Sequence, residues 1–160
     1  MVAFTDFEKE FAERTRANLQ LFEEIAKTTE NNYYEVTQFI NSLLGMLVFI
    51  QEATNTILEK EINEYQGSGT IEWLHGQRIN PKWRTSERNP NQMEYVIYHM
   101  RNAIAHCGIK PYPEDGEIEG FIFTDSKKIN NEKIPYWRLS LPLPTIRIIA
   151  DELVQKVLNE

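Results

Sequence analysis

The stretch Asn89-Pro90-Asn91-Gln92-Met93-Glu94-Tyr95-Val96-Ile97-Tyr98-His99-Met100-Arg101-Asn102-Ala103-Ile104-Ala105-His106-Cys107-Gly108 separates two kinds of pattern in the chain. Met93, Val96, Ile97, Met100 and Ile104 recur at the spacing of one helical face. Asn89 suits an N-cap, and Pro90 is tolerated in a first turn. Gly108 is a natural stop, and Pro111 and Pro113 oppose continuation. The spacing predicts a helix over 90–107.

Upstream the pattern is helical. Thr5-Asp6-Phe7-Glu8 reads as a capping box, and Phe4, Phe7, Phe11, Phe22 and Ile25 fall near one stripe, predicting a helix over 6–27. A second helix is expected over 34–65, apolar on a wide arc from Val36 to Ile50. Beside that arc Thr37, Gln38, Asn41, Ser42 and Gly45 form a small-polar seam, suited to close helix packing or to lining a cleft. Gln66-Gly67-Ser68-Gly69-Thr70 breaks the helix, and residues 71–89 read as an ordered loop with a short helix.

Downstream the period becomes two. Gly120–Thr124 and Tyr136–Ser140 are β-prone runs around a polar turn at 125–133. Leu143-Pro144 opens a last helix with Ile146, Ile149, Ala150, Leu153 and Val157 on one face. The expected fold is mainly α: one domain over residues 1–160, a four-helix up-and-down bundle with a small β-hairpin before the last helix.

Length and composition agree with a single domain. The chain has 160 residues, is 41% hydrophobic and 26% charged, and carries a formal charge of −7. That balance excludes wholesale disorder and disfavours a protein that coats nucleic acid indiscriminately. The single cysteine, Cys107, excludes an internal disulfide framework, fits a reducing compartment, and is expected to be a small buried thiol. With three histidines it leaves little for a structural zinc site, so no metal is expected. The N-terminus has no apolar signal core, and the longest apolar run, 43–50, is too short to span a bilayer. The expectation is a cytoplasmic protein with no membrane partner.

The charge is not evenly spread. Between 71 and 110 there are six basic residues (Arg78, Lys82, Arg84, Arg88, Arg101, Lys110) against Glu72, Glu87 and Glu94, so this window stands at +3. A local basic cleft of that kind can hold a short stretch of phosphate backbone. Lys82, Arg84 and Arg88 are the substrate-binding candidates. Trp73, Trp83 and Trp137 suit either base stacking or packing.

Helical phase brings His99, Asn102 and His106 near one face of the third helix, while positions 101 and 106 lie about 140° apart on an ideal helix. A two-fold dimer, bringing in a second copy of the helix, would close that gap. The chemistry suggested is RNA cleavage. A histidine can take the proton of a ribose 2′-hydroxyl or give one to the leaving 5′-oxygen, and an arginine can hold the charge on the phosphorane. Asn102 would orient the phosphate or His106. No cofactor is required. The bland alternative makes Arg101 a surface residue and His106 a C-cap.

Arg101-Asn102-Ala103-Ile104-Ala105-His106, late in an apolar helix, resembles the signature of the HEPN superfamily: Arg, four to six residues, then His. Residues 34–52 and the hairpin ending Tyr-Trp-Arg-Leu-Ser-Leu also resemble small stand-alone HEPN proteins of plasmids and prophages. The resemblance implies a four-helix core, a homodimer with the motif helices at its interface, and a metal-independent endoribonuclease leaving a 2′,3′-cyclic phosphate and a 5′-hydroxyl. It implies roles as a toxin or in phage defence, with an antitoxin or regulatory protein as a further partner. Arg101 and His106 become the catalytic pair and Asn102 the polar residue after the arginine. His99 lies outside the motif and is a candidate by helical phase alone. Where nucleotidyltransferase-paired toxins of the superfamily often carry tyrosine, this chain has Gly108. The alternative within the same resemblance is a catalytically silent HEPN interaction module.

Overall fold

The computed structural model describes residues 6–28, 38–43, 45–47, 58–74, 89–113 and 118–159. Helix α1 is Phe7–Thr28. Asp6 caps it, its carboxylate accepting the Lys9 N–H at 3.3 Å, while the cap expected at Thr5 lies outside the described residues. Residues 38–43 and 45–47 are helical, and the label α2 is used for them. Helix α3 is Met93–Ala105 and α4 is Leu143–Asn159. The strands are β1 (Glu72–Trp73), β2 (Ile109–Tyr112), β3 (Gly120–Ile129) and β4 (Glu132–Pro142).

The strands overturn the expectation of a helical bundle with one small hairpin. They form a four-stranded antiparallel sheet in the order β1-β4-β3-β2, beside four helices among the described residues. Two expectations failed for identifiable reasons. The segment Asp125–Lys133 is not a long polar turn. Strands β3 and β4 continue through it and reverse over Asn130 and Asn131, both left-handed at φ 49° and 66°. Asparagine tolerates φ > 0, and two such residues make the tight turn whose twist matches a hairpin. Gly108, Pro111 and Pro113 are read from sequence only as a helix stop, yet residues 109–112 pair with β3. Pro111 is admissible there because β2 lies at the sheet edge.

The expected helix over 34–65 is also too long. Leu58–Lys60 is not helical, and Ile62–Glu64 is a single 3-10 turn. Backbone groups here serve α3's leading edge instead: Ile62 N–H donates to the Asn91 carbonyl at 2.8 Å, and Met93 N–H to the Lys60 carbonyl at 3.4 Å. Asn89 does not cap α3. It makes an Asx turn to the Asn91 N–H at 3.0 Å, so α3 starts three residues later than Pro90. The region expected to be a loop with a short helix includes β1, and its residues 75–88 lie outside the described residues.

The chain divides into two compact units, Met1–Ile57 with Ile148–Glu160, and Leu58–Arg147. In the first, Gly45 meets the Phe11 ring: a Cβ there would stand 3.2 Å from it, which favours the packing role for the seam. Phe7 and Ile25, placed on the inward stripe by sequence, are exposed, whereas Ala12 and Leu19 are buried. In the second, α3 packs on β3. Met93, Val96, Ile97 and Met100 are buried, as are Phe121, Phe123, Trp137, Leu139 and Leu141. The inward face read for α4 is buried throughout. No described helix is long and apolar enough to cross a membrane.

The end of α3 is a Schellman motif. Gly108 N–H donates to the Ala103 carbonyl at 2.6 Å and Cys107 N–H to the Ile104 carbonyl at 3.2 Å. The left-handed residue is Cys107, φ 55°, not Gly108. Gly108 serves another need: a Cβ on it would lie 2.1 Å from the Thr124 carbonyl oxygen. Neighbouring substitutions should therefore have opposite signs. Cys107→Gly is expected to stabilise by about 0.5–1 kcal/mol, relieving a left-handed non-glycine residue. Gly108→Ala is expected to destabilise by roughly 2 kcal/mol or more through backbone displacement. Urea denaturation of both variants checks the pair.

Candidate functional site

The site is built on the second half of α3 and the β3–β4 hairpin. Arg101 is half-buried with its guanidinium 5.3 Å from the centre of the Tyr98 ring. His106 is exposed and is the C-cap of α3, at φ −109° and ψ 21°. It has left the helix, so the ideal angle between positions 101 and 106 does not apply. Its N–H donates to the Asn102 carbonyl at 3.0 Å, and its own carbonyl accepts the Lys133 ammonium at 2.5 Å. A cation there satisfies a carbonyl at the negative end of the helix.

His99 and Asn102 point elsewhere. Both reach Asp125 on β3, a residue only 2% exposed. Its Oδ2 accepts His99 Nδ1 at 2.8 Å, Asn102 Nδ2 at 3.2 Å and the Tyr136 hydroxyl at 2.6 Å. His99 is itself 8% exposed, stacked on Trp137 at 4.8 Å and edged by Trp73, Tyr98 and Tyr136. Trp73, Trp137 and His99 thus pack together. Trp137 is fully buried and is not available for base stacking.

A bulge makes this convergence possible. The register runs Asp125↔Trp137 and then Ser126↔Pro135, leaving Tyr136 as the extra residue of β4. Pro135 has no N–H to give the ladder, so the irregularity falls beside it. As a result two successive large side chains, Tyr136 and Trp137, are both buried. Burial alone pushes the Asp125 carboxyl up. The hydrogen bonds from His99, Tyr136 and Asn102, with the charge of His99, outweigh it and hold the carboxyl below its ordinary value. The Tyr136 hydroxyl is pushed well above the ordinary phenol range, by burial first and then by its bond to Asp125.

Sequence reading placed Asn102 and His99 on the motif helix as site candidates, and in the structure both side chains bond Asp125. The Asn102 amide donates to Asp125. Asp125, Tyr136 and Trp137 were missed as a group. The signal was present: Phe121, Phe123 and Asp125 alternate, which puts an acid at an inward position after two aromatics. Cys107, expected to be buried, is exposed at the helix end. Lys82, Arg84, Arg88 and Trp83 lie outside the described residues.

The family model described as HEPN pEK499 p136 matches residues 1–160. The chain belongs to this HEPN family. No curated protein and no solved structure shows a significant match. In this HEPN chain the motif arginine stands just before the last turn of α3 and the motif histidine is its C-cap, and the polar residue after the arginine is tied to the sheet.

Proposed function

We propose that this HEPN protein is a metal-independent endoribonuclease, acting as a homodimer on single-stranded or looped RNA, in a toxin or phage-defence role. The observation that carries the reading is the Arg101–His106 motif at the end of α3, in a chain matched by a HEPN family along its whole length. The exposure of the His106 side chain supports it, since a general acid or base must reach its substrate. In the reaction, a base takes the 2′-hydroxyl proton and O2′ attacks phosphorus. The P–O5′ bond breaks, and an acid returns a proton to O5′. A histidine titrates near neutrality and can serve as either. The Arg101 guanidinium holds the charge that builds on the phosphorane oxygens. Asn102 acts through position, since its amide anchors the helix to Asp125. A two-fold dimer joining two α3 ends would supply a second Arg101 and His106 to one cleft.

Purified protein is expected to cut single-stranded RNA in excess EDTA, leaving 2′,3′-cyclic phosphate and 5′-hydroxyl ends, and to run as a dimer by light scattering. Arg101→Ala should remove most of this activity. Intact RNA across varied substrates, together with stable capture of a protein partner, would instead indicate a silent HEPN interaction module.

A further inference from the structure

We infer that the end of the β3–β4 hairpin is an arm that grips the phosphodiester backbone of single-stranded RNA beside His106, an inference resting on the nuclease reading above. Four observations converge on it. First, Lys127, Lys128 and Lys133 stand within seven residues, against Glu132 alone, in a chain whose formal charge is −7. Second, Lys128 and Lys133 are direct cross-strand partners in the antiparallel ladder. Like charges placed opposite each other destabilise a hairpin. Both residues are exposed, so packing does not explain their choice. An anion between them does, because it turns the repulsion into a shared attraction.

Third, the Lys133 ammonium touches the His106 carbonyl at 2.5 Å, which joins the basic end of the hairpin to the motif. That contact uses one of the three N–H groups of the ammonium, and the other two remain for a ligand. Fourth, the turn is tight. Asn130 and Asn131 are left-handed and exposed, so the lysines stand on a defined ladder and the two amides lie at its tip as further donors. Lys127 belongs to the other side of this division: its ammonium lies 5.7 Å from the centre of the Tyr136 ring, next to the Asp125 cluster. The gripping residues are thus Lys128 and Lys133, with Asn130 and Asn131. The contact of Lys133 with the His106 carbonyl favours the RNA strand over an acidic protein as occupant.

The test uses a 2′-O-methylated single-stranded oligoribonucleotide, which lacks the attacking hydroxyl, and follows its binding by fluorescence anisotropy across a salt series. Lys128→Glu is the informative variant. It is expected to raise Kd by on the order of tenfold, and to make the salt slope shallower by about 0.7 for the lost contact. The same change should raise the melting temperature, since a glutamate now faces Lys133. Weaker binding with greater stability is a pairing that a purely structural lysine would not produce. Lys133→Gln should weaken binding likewise. If the wild type binds while both variants keep its Kd and slope, the arm is wrong and the nuclease reading stands. If the wild type neither binds nor cuts RNA, both fall. Equal affinity for polyglutamate of matching charge, lost in Lys128→Glu, would overturn the assignment to RNA.

Discussion

His106→Ala is expected to lower RNA cleavage by roughly a hundred- to ten-thousandfold, the usual worth of a general acid or base. Its stability should stay within about 0.5 kcal/mol of the wild type, as for other exposed substitutions. The structural duties of His106 are carried by its backbone. Its N–H serves the Asn102 carbonyl and its carbonyl serves Lys133, and alanine keeps both. Loss of activity therefore reports on the imidazole and not on the fold. Cleavage assays run beside thermal melts check this, and undiminished cleavage by the folded variant would falsify the catalytic assignment.

Asp125→Ala should show the reverse division, with a large effect on folding. Removing the carboxylate takes away the one acceptor that His99, Asn102 and the Tyr136 hydroxyl share. Breaking a buried, multiply bonded charge costs about 3 kcal/mol or more. In a chain of this length that lowers the melting temperature by about 6–12 °C. The pH dependence has a definite sign. The folded carboxyl titrates below its ordinary value, so its stabilisation is complete above the unfolded value of about 3.9 and is lost as pH falls below it. Urea denaturation at pH 7 and at pH 3.5 should show the gap between wild type and Asp125→Asn narrowing at the lower pH. A gap of constant size would mean that Asp125 contributes shape and not charge.

The faces of α3 and α4 were legible in the sequence because they repeat. Ile146, Ile149, Ala150, Leu153 and Val157 were read as inward, and all are buried. The sheet was legible only in its central runs. Strand β2 holds Pro111, and β1 is two residues long, so neither carries a period. Each becomes a strand through pairing with a distant partner, β3 or β4, and no local propensity records that. At the site, Arg101 and His106 could be read because their spacing is local. Asp125 could not be assigned from spacing, since its partners lie at positions 99, 102 and 136. The bulge at Asp125/Ser126 settles which way Tyr136 faces, and a bulge breaks the very alternation from which strand faces are read.

That carboxylate also has a kinetic meaning. Its donors come from a helix and from the opposite strand of a hairpin, and it must shed its water before they can replace it. Such a contact is expected to close last, after helix and hairpin have docked. Interactions absent from the folding transition state leave the folding rate nearly untouched and slow unfolding instead. Asp125 is then expected to work as a latch, setting how long the end of α3 stays seated on its strands once folded, and so how long Arg101 and His106 keep their setting.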